Sequence, residues 1–153
     1  MKNTAIIIPT RLEAKRFRNK PLAEINGIPM IVHVLNRAKE SQVGEVFVAT
    51  PDNEIVNTVK ENGGQAILTK HGHLSGSDRV YEAYLKQLKD NVDLIINLQG
   101  DMPNIKPNSI SKLEKLMRQN DCGIGTLASF IKNSKEIIDA NIVKVLVNQE
   151  LKN

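Results

Sequence analysis

The sequence is poor in aromatic residues and cysteine, and it has no long apolar run. Aromatic residues make up 3% of the 153 residues and tryptophan is absent, which argues against a single-stranded nucleic-acid site built on base stacking. The single cysteine, Cys122, excludes an internal disulfide and a cysteine-based zinc site. No hydrophobic stretch is long enough to span a bilayer. We therefore expect a soluble cytoplasmic protein with no membrane partner.

The net charge of +4 is distributed unevenly along the chain. Residues 1–39 contain eight Lys/Arg and two acids, a net charge of +6, whereas residues 40–153 have a net charge of −2. A nucleic-acid duplex requires an extended basic face, whereas a local basic excess suits a compact anionic ligand. The charge distribution therefore predicts a small anion as ligand and no nucleic-acid partner.

Short apolar runs alternate with amphipathic helical patterns. The predicted strands are residues 5–8, 45–49, 65–68 and 94–98. The predicted helices are residues 30–39, 54–61, 77–88 and 108–119. Nearly continuous apolar strands that alternate with helices indicate a parallel sheet covered on both faces. We predict an α/β fold, a three-layer α/β/α sandwich with a mostly parallel sheet, in a single domain over residues 1–153.

The pattern changes after Cys122. Residues 123–131 and 142–147 resemble strands in composition, and a short helix is predicted at residues 134–138. The sequence has no internal repeat and no linker that would separate two domains.

A basic segment follows the first predicted strand. Within ten residues it contains one acid and five cations: Arg11, Lys15, Arg16, Arg18 and Lys20. A basic loop at the carboxyl end of the first strand of an α/β protein is suited to holding a polyphosphate. Arg11, Arg16 and Lys20 are the candidates to neutralise three phosphates, although the segment lacks the Gly-Lys-Ser/Thr of a P-loop. The alternative interpretation is a solvated surface loop without a ligand.

Asp101 follows Gly100, three residues after the end of the fourth predicted strand. In a parallel sheet its carboxylate would face the basic segment. Mg²⁺ is usually held by one or two carboxylates together with substrate phosphates, so Asp101 is the metal-ligand candidate. A turn aspartate that bonds its own backbone explains the same spacing.

The segment from His73 to Arg79 carries a helix-start motif. Ser75 and Asp78 fit a capping box, which is a structural role. The capping box does not explain Gly76 or Arg79. Backbone amides at a helix start, with an arginine just inside it, are suited to binding the polar edge of a pyrimidine. His71 and His73 lack a third ligand for a zinc site.

These segments together resemble the 3-deoxy-D-manno-octulosonate cytidylyltransferase family. The resemblance spans nearly the whole chain and runs through residues 7–11, 20–22, 25–34, 48–50, 73–79, 97–101 and 141–145. It implies a fold of the nucleotide-diphospho-sugar transferase (Rossmann-like) type. It also implies transfer of a cytidylyl group from CTP to 3-deoxy-D-manno-octulosonate (Kdo), giving CMP-Kdo and pyrophosphate for lipopolysaccharide biosynthesis.

The resemblance also implies roles for individual residues. The implied catalytic residues are Arg11, Lys20 and Asp101, with Asp101 as the ligand of an Mg²⁺ cofactor. The implied CTP-binding residues are Pro9, Thr10, Arg11, Arg16, Lys20, Ser75, Gly76, Arg79 and Gln99. The implied partners are CTP and Kdo as small-molecule substrates and, in the family, a second subunit of a homodimer.

The chain departs from the family in sequence and in length. Met102 stands where the family usually has glutamate, Asn19 replaces a glycine, and Ser77-Asp78 replaces Thr-Glu. The chain ends before the family's fold does, so we expect the sugar-acid-binding part, a second metal carboxylate and most of the dimer interface to be absent. Two alternatives follow: an inactive, truncated CTP-binding remnant, or a cytidylyltransferase for another acidic sugar such as sialic acid.

Overall fold

The computed structural model describes residues 3–13 and 19–146. The strands are β1 (Thr4–Pro9), β2 (Glu24–Ile25), β3 (Ile28–Pro29), β4 (Glu45–Thr50), β5 (Gln65–Leu68) and β6 (Leu94–Asn97). The α-helices are α1 (Met30–Glu40), α2 (Asn53–Glu61), α3 (Gly76–Ala83), α4 (Pro107–Gln119) and α5 (Ser134–Ile138). A short 3₁₀ helix at Lys20–Leu22 precedes β2, and a π-helical turn at Tyr84–Leu88 continues α3.

The main sheet has four parallel strands in the order β5-β4-β1-β6. β1 pairs with β4 on one side and with β6 on the other, so Ile6 lies opposite both Val46 and Ile96. This central position explains why every residue of β1 is buried. All four carboxyl ends point to one edge of the sheet, where loops collect functional side chains.

Helices cover both faces of the sheet. Ile6 and Ile8 of β1 pack on one face with apolar residues of α1, α2 and α4. Ala5 and Ile7 pack on the other face with α3 and the turn that follows it. Because successive side chains of a strand point to opposite faces, an uninterrupted apolar run serves both layers. The predicted three-layer α/β/α sandwich with a mostly parallel sheet is confirmed.

β2 and β3 form a small antiparallel hairpin that precedes α1. Its two turn residues, Asn26 and Gly27, have φ angles of 52° and 76°. An Asn-Gly pair with both φ angles positive is typical of a two-residue hairpin loop. The hairpin was not predicted, because strands of two residues are too short to show a hydrophobic period.

The prediction after Cys122 is only partly correct. The predicted helix at residues 134–138 is confirmed as α5. The predicted strand at residues 123–131 is wrong, since these residues form neither strand nor helix and Ile124 is 90% exposed. Residues 142–146 are also outside any strand, while Val147 lies outside the described residues. A strand needs a paired neighbour for its backbone N–H and C=O groups, and these segments have none within the described chain.

None of the helices within the described residues is both long enough and apolar enough to cross a membrane.

Candidate active site

The chain leaves β1 through a short segment that neighbouring strands hold in place. The Thr10 amide donates to the Ala49 carbonyl at 3.0 Å, which extends the β1–β4 pairing by one residue. The Leu12 amide then donates to Oδ2 of Asp52 at 2.8 Å. The Asn19 amide donates back to the Leu12 carbonyl at 3.2 Å. The two ends of the basic segment are therefore tied together, beside the carboxyl ends of β1 and β4.

Asn19 adopts the left-handed conformation, with a φ angle of 56°. Asparagine tolerates this region better than most residues other than glycine, so it is compatible with the turn into Lys20. Of the predicted phosphate ligands, Arg11 and Lys20 lie within the described residues, whereas Arg16 lies outside them.

Lys20 and Asp101 meet across the sheet edge. The Lys20 Nζ donates to Oδ2 of Asp101 at 2.8 Å, and the side chains are 38% and 55% exposed. The predicted approach of the Asp101 carboxylate to the basic segment is thus found in the structure. Within the described residues the partner of Asp101 is Lys20, not its own backbone as in the turn-aspartate alternative.

Gly100 allows this approach. A Cβ atom at Gly100 would lie 2.9 Å from the Pro9 carbonyl oxygen and 3.2 Å from Cβ of Thr10. The backbone after β6 therefore runs directly against the backbone after β1. A residue with a side chain at this position would force the two segments apart.

The start of α3 has the predicted capping box. The Asp78 amide donates to Oγ of Ser75 at 3.1 Å, and the Ser75 amide donates to Oδ2 of Asp78 at 3.0 Å. The structural interpretation of these two residues is therefore confirmed. Gly76 follows in the first turn, and a Cβ atom there would lie 3.3 Å from Cγ of Pro9. The amino end of α3 thus stands beside the carboxyl end of β1.

Arg79 is almost fully buried, with 3% of its surface exposed. Its Nη1 donates to Oγ1 of Thr69 and, at 3.2 Å, to the Lys70 carbonyl. Burial is the main cause of a lowered Arg79 pKa, and the nearby positive charge of Arg11 lowers it further. Arg79 therefore anchors the chain after β5 while it lies at the base of the site.

Seven of the nine predicted substrate-binding residues line one cleft of about 130 Å³. These seven are Pro9, Thr10, Arg11, Ser75, Gly76, Arg79 and Gln99. Lys20 does not line this cleft and forms an ion pair with Asp101 instead. The cleft brings together the carboxyl end of β1, the segment after β6 and the start of α3, as expected for one edge of a parallel sheet. The contacts of these residues with a ligand stay predictions.

Sequence analysis missed two residues of the cleft lining, His73 and Leu74. His73 was considered only as a zinc ligand, but its Nε2 faces a carboxylate oxygen of Glu82. Burial raises the pKa of Glu82. Hydrogen bonds from Lys86, His73 and the Lys70 amide have a larger, opposite effect and lower the pKa to about 2. Glu82 lies three residues after Arg79 on α3, a spacing that places both on one helix face.

The described part of the chain has no group of three or more His, Cys, Asp or Glu side chains placed to hold a metal ion. Asp101 supplies an exposed carboxylate at the sheet edge. This donor set fits Mg²⁺, which uses one or two carboxylates and completes its octahedron with water and substrate phosphates.

A family model described as cytidylyltransferase matches residues 5–153. The chain belongs to the cytidylyltransferase family. A 3-deoxy-manno-octulosonate cytidylyltransferase from Nitrobacter winogradskyi is 43% identical over 144 residues, which cover 94% of this chain and 57% of that relative. One from Thermodesulfovibrio yellowstonii is 44% identical over 152 residues, covering 95% of this chain and 60% of the relative.

A solved structure of a CMP:2-keto-3-deoxy-manno-octonic acid synthetase complexed with CTP is also similar to this cytidylyltransferase-family chain. It superimposes with a TM-score of 0.73 and 41% identity, covering 78% of this chain and 48% of that one. The predicted resemblance to 3-deoxy-D-manno-octulosonate cytidylyltransferases is thereby confirmed. The chain spans 57% and 60% of the length of the two curated relatives.

Proposed function

We propose that this chain forms the nucleotide-binding part of an enzyme that transfers a cytidylyl group from CTP to Kdo. The observation that supports the proposal most directly is the similarity to a synthetase complexed with CTP, together with a cleft lined by seven residues predicted to bind that nucleotide. The products are CMP-Kdo and pyrophosphate. The proposed setting is cytoplasmic lipopolysaccharide biosynthesis.

The reaction is a displacement at phosphorus. The anomeric hydroxyl oxygen of the sugar acid forms a bond to the α-phosphorus of CTP, and the bond from that phosphorus to the bridging oxygen breaks. Pyrophosphate takes the electron pair of the broken bond, and the hydroxyl proton is released. The triphosphate carries several negative charges that repel an oxygen nucleophile, so positioning and charge neutralisation supply most of the catalysis.

The residues of this chain would divide that work. Arg11 and Lys20 would neutralise the phosphates from the segment that follows β1. Ser75, Gly76 and Arg79 would bind near the base, with Gln99 beside the nucleotide. Asp101 would hold Mg²⁺, which supplies charge stabilisation at the phosphate oxygens when bound. Kdo and a second subunit are proposed as further partners, whereas nucleic acid is not.

The test is isothermal titration calorimetry of the chain with CTP, with and without Mg²⁺, with UTP and ATP as comparison nucleotides. We expect CTP to bind, to bind more tightly with Mg²⁺, and to bind more tightly than the other two. Absence of CTP binding under both conditions would contradict the proposal.

A second measurement distinguishes turnover from binding alone. Pyrophosphate release from CTP is measured with Kdo and, separately, with sialic acid as acceptor. Release with Kdo supports the full reaction. CTP binding without release from either acceptor would support the nucleotide-binding remnant, and release with sialic acid alone would support the alternative acceptor.

A further inference from the structure

The carboxylate of Glu82 is surrounded by donors from three directions. The Lys70 amide donates to Oε1 and Oε2 at 3.1 and 3.0 Å. The Lys86 ammonium lies 2.7 Å from Oε1, and the His73 ring faces Oε2 through Nε2. The Glu82 side chain is only 14% exposed. Three donor groups therefore make four contacts with this carboxylate, and two of the donors, the Lys70 amide and His73, lie outside the helix.

These contacts fasten the segment between β5 and α3. Lys70 and His73 lie three positions apart in this segment, on either side of Gly72, which has a φ angle of 83°. Two further side chains hold the segment, since Lys86 of the π-helical turn donates to the Leu68 carbonyl at 2.9 Å and Arg79 of α3 donates to the Lys70 carbonyl. The path of the chain into the cleft therefore depends on side chains of α3 and of the π-helical turn that follows it.

Glu82 also determines which nitrogen of the His73 ring faces a hydrogen-bond acceptor. A carboxylate that stays ionised is only an acceptor, so the His73 nitrogen that faces it must carry a proton. His73 thus donates through Nε2, and its ring is held among the residues that line the cleft. The contact with Glu82 gives His73 a role that does not require a metal ion.

We infer that Glu82 is a positioning residue, which holds residues 69–75 in the shape that the nucleotide cleft requires. The inference rests on the proposed function, because the cleft's ligand is taken to be CTP. A segment that is ordered before binding spares the ligand the cost of ordering it. Without this carboxylate, the segment would sample other conformations and CTP would bind only the competent fraction.

The test compares Glu82→Gln with Glu61→Gln. Glutamine has one acceptor oxygen and one NH₂ group, so either His73 or Lys86 would face a donor. Glu61 is exposed at the end of α2 and forms no side-chain hydrogen bond or ion pair within the described residues, so it is a matched control. A segment that holds the competent shape in about one molecule in ten predicts that the Kd for CTP rises about tenfold in Glu82→Gln. Glu61→Gln is expected to bind like the unaltered chain.

Two measurements without nucleotide separate this inference from the proposed function. Amide hydrogen exchange of residues 70–75 is expected to become faster in Glu82→Gln and to stay unchanged in Glu61→Gln. The ¹⁵N signals of the His73 ring are expected to show a proton on Nε2 in the unaltered chain and a mixture of tautomers in Glu82→Gln. A merely structural helix residue would not change the tautomer of His73.

Failure of the proposed function and failure of this inference give different results. If the unaltered chain binds no CTP, the proposed function fails. Amide hydrogen exchange and the ¹⁵N signals of His73 then decide whether Glu82 holds the segment. If CTP binds with the same Kd to both variants and the exchange of residues 70–75 is unchanged, the inference is overturned. Should Glu82→Gln fail to fold, His73→Leu removes one donor and keeps the Glu82–Lys86 pair. Amide exchange of residues 70–75 without nucleotide is then expected to become faster, and an unchanged exchange rate would overturn the inference.

Discussion

The Lys20 ammonium donates to the Asp101 carboxylate at 2.8 Å, across 81 positions of the chain. The cation proposed for the triphosphate and the carboxylate proposed for Mg²⁺ therefore form an ion pair with each other. Both side chains are substantially exposed, and exposed ion pairs contribute only about 0–1 kcal/mol. The pair can accordingly exchange for ligand contacts at little cost in free energy.

Substitution of Lys20 is expected to reduce nucleotide affinity much more than stability. In Lys20→Met we expect the Kd for CTP to rise about 10- to 100-fold, because one charge-assisted phosphate contact is lost. The unfolding free energy is expected to change by less than about 1 kcal/mol, since the pair is exposed. Calorimetry and urea unfolding measure the two quantities. Lys60→Met, an exposed position on α2, is the control, and an equal CTP affinity in both variants would contradict the prediction.

Removal of the Asp101 charge is expected to uncouple CTP binding from Mg²⁺. Asp101→Asn keeps the size of the side chain but weakens it as a metal ligand, so the Kd for CTP in Mg²⁺ is expected to rise about tenfold. Without Mg²⁺ the change is expected to be much smaller. The measurement is calorimetry at several Mg²⁺ concentrations, with Asp121→Asn at an exposed position as control. A variant that keeps the full Mg²⁺ effect would show that another group holds the metal.

The low pKa of Glu82 predicts a pH-dependent contribution to stability. The pKa falls from 4.5 to about 2 in the folded protein, so the unfolded chain binds the proton more readily. The stabilisation is therefore complete above about pH 4.5 and is lost as the pH falls toward 2. Its size is on the order of 1–3 kcal/mol after allowance for partial exposure.

The pH prediction is tested by urea unfolding at pH 7 and pH 3. Glu82→Gln is expected to be less stable than the unaltered chain at pH 7, with a smaller difference at pH 3. Glu61→Gln controls for the general effect of removing a carboxylate. A difference that is the same at both pH values would mean that the contacts of Glu82, not its ionisation, carry the effect.

The close passage of the chain at Gly100 predicts a strong effect of a single methyl group. In Gly100→Ala the new Cβ would meet the Pro9 carbonyl oxygen at 2.9 Å, so the two backbones must separate. We expect a loss of about 1–3 kcal/mol in the unfolding free energy and weaker CTP binding. Gly123→Ala is the control, since no atom lies within 4 Å of a Cβ atom there. Equal stability of the two alanine variants would contradict the prediction.

Much of the fold was predictable because it depends on local patterns. The apolar runs placed β1, β4, β5 and β6 within one residue of their observed ends. The strand predicted at residues 123–131 failed for a physical reason, since apolar composition does not supply a pairing partner. The helix predicted at residues 77–88 is helical throughout but changes to a π-helical turn at Tyr84, which no sequence period reveals.

The site was predictable to the extent that it follows from the parallel sheet. Carboxyl ends of β1 and β6 lie side by side, so an approach of Asp101 to Lys20 follows from topology. The pair of His73 and Glu82 does not follow from it. That contact depends on how the segment after β5 folds over α3, and the eight residues between His73 and Glu82 show no periodic pattern that predicts it.

The central position of β1 has a consequence for synthesis of the chain. The strand that is made first obtains its second neighbour, β6, only when residues 94–97 have been added. At about 5–20 residues per second, this delay is on the order of ten seconds. Ile6, Ile7 and Ile8 are fully buried in the finished sheet. During the delay they remain partly exposed to solvent. A nascent chain of this protein is therefore expected to be a substrate for ribosome-associated chaperones until β6 has emerged.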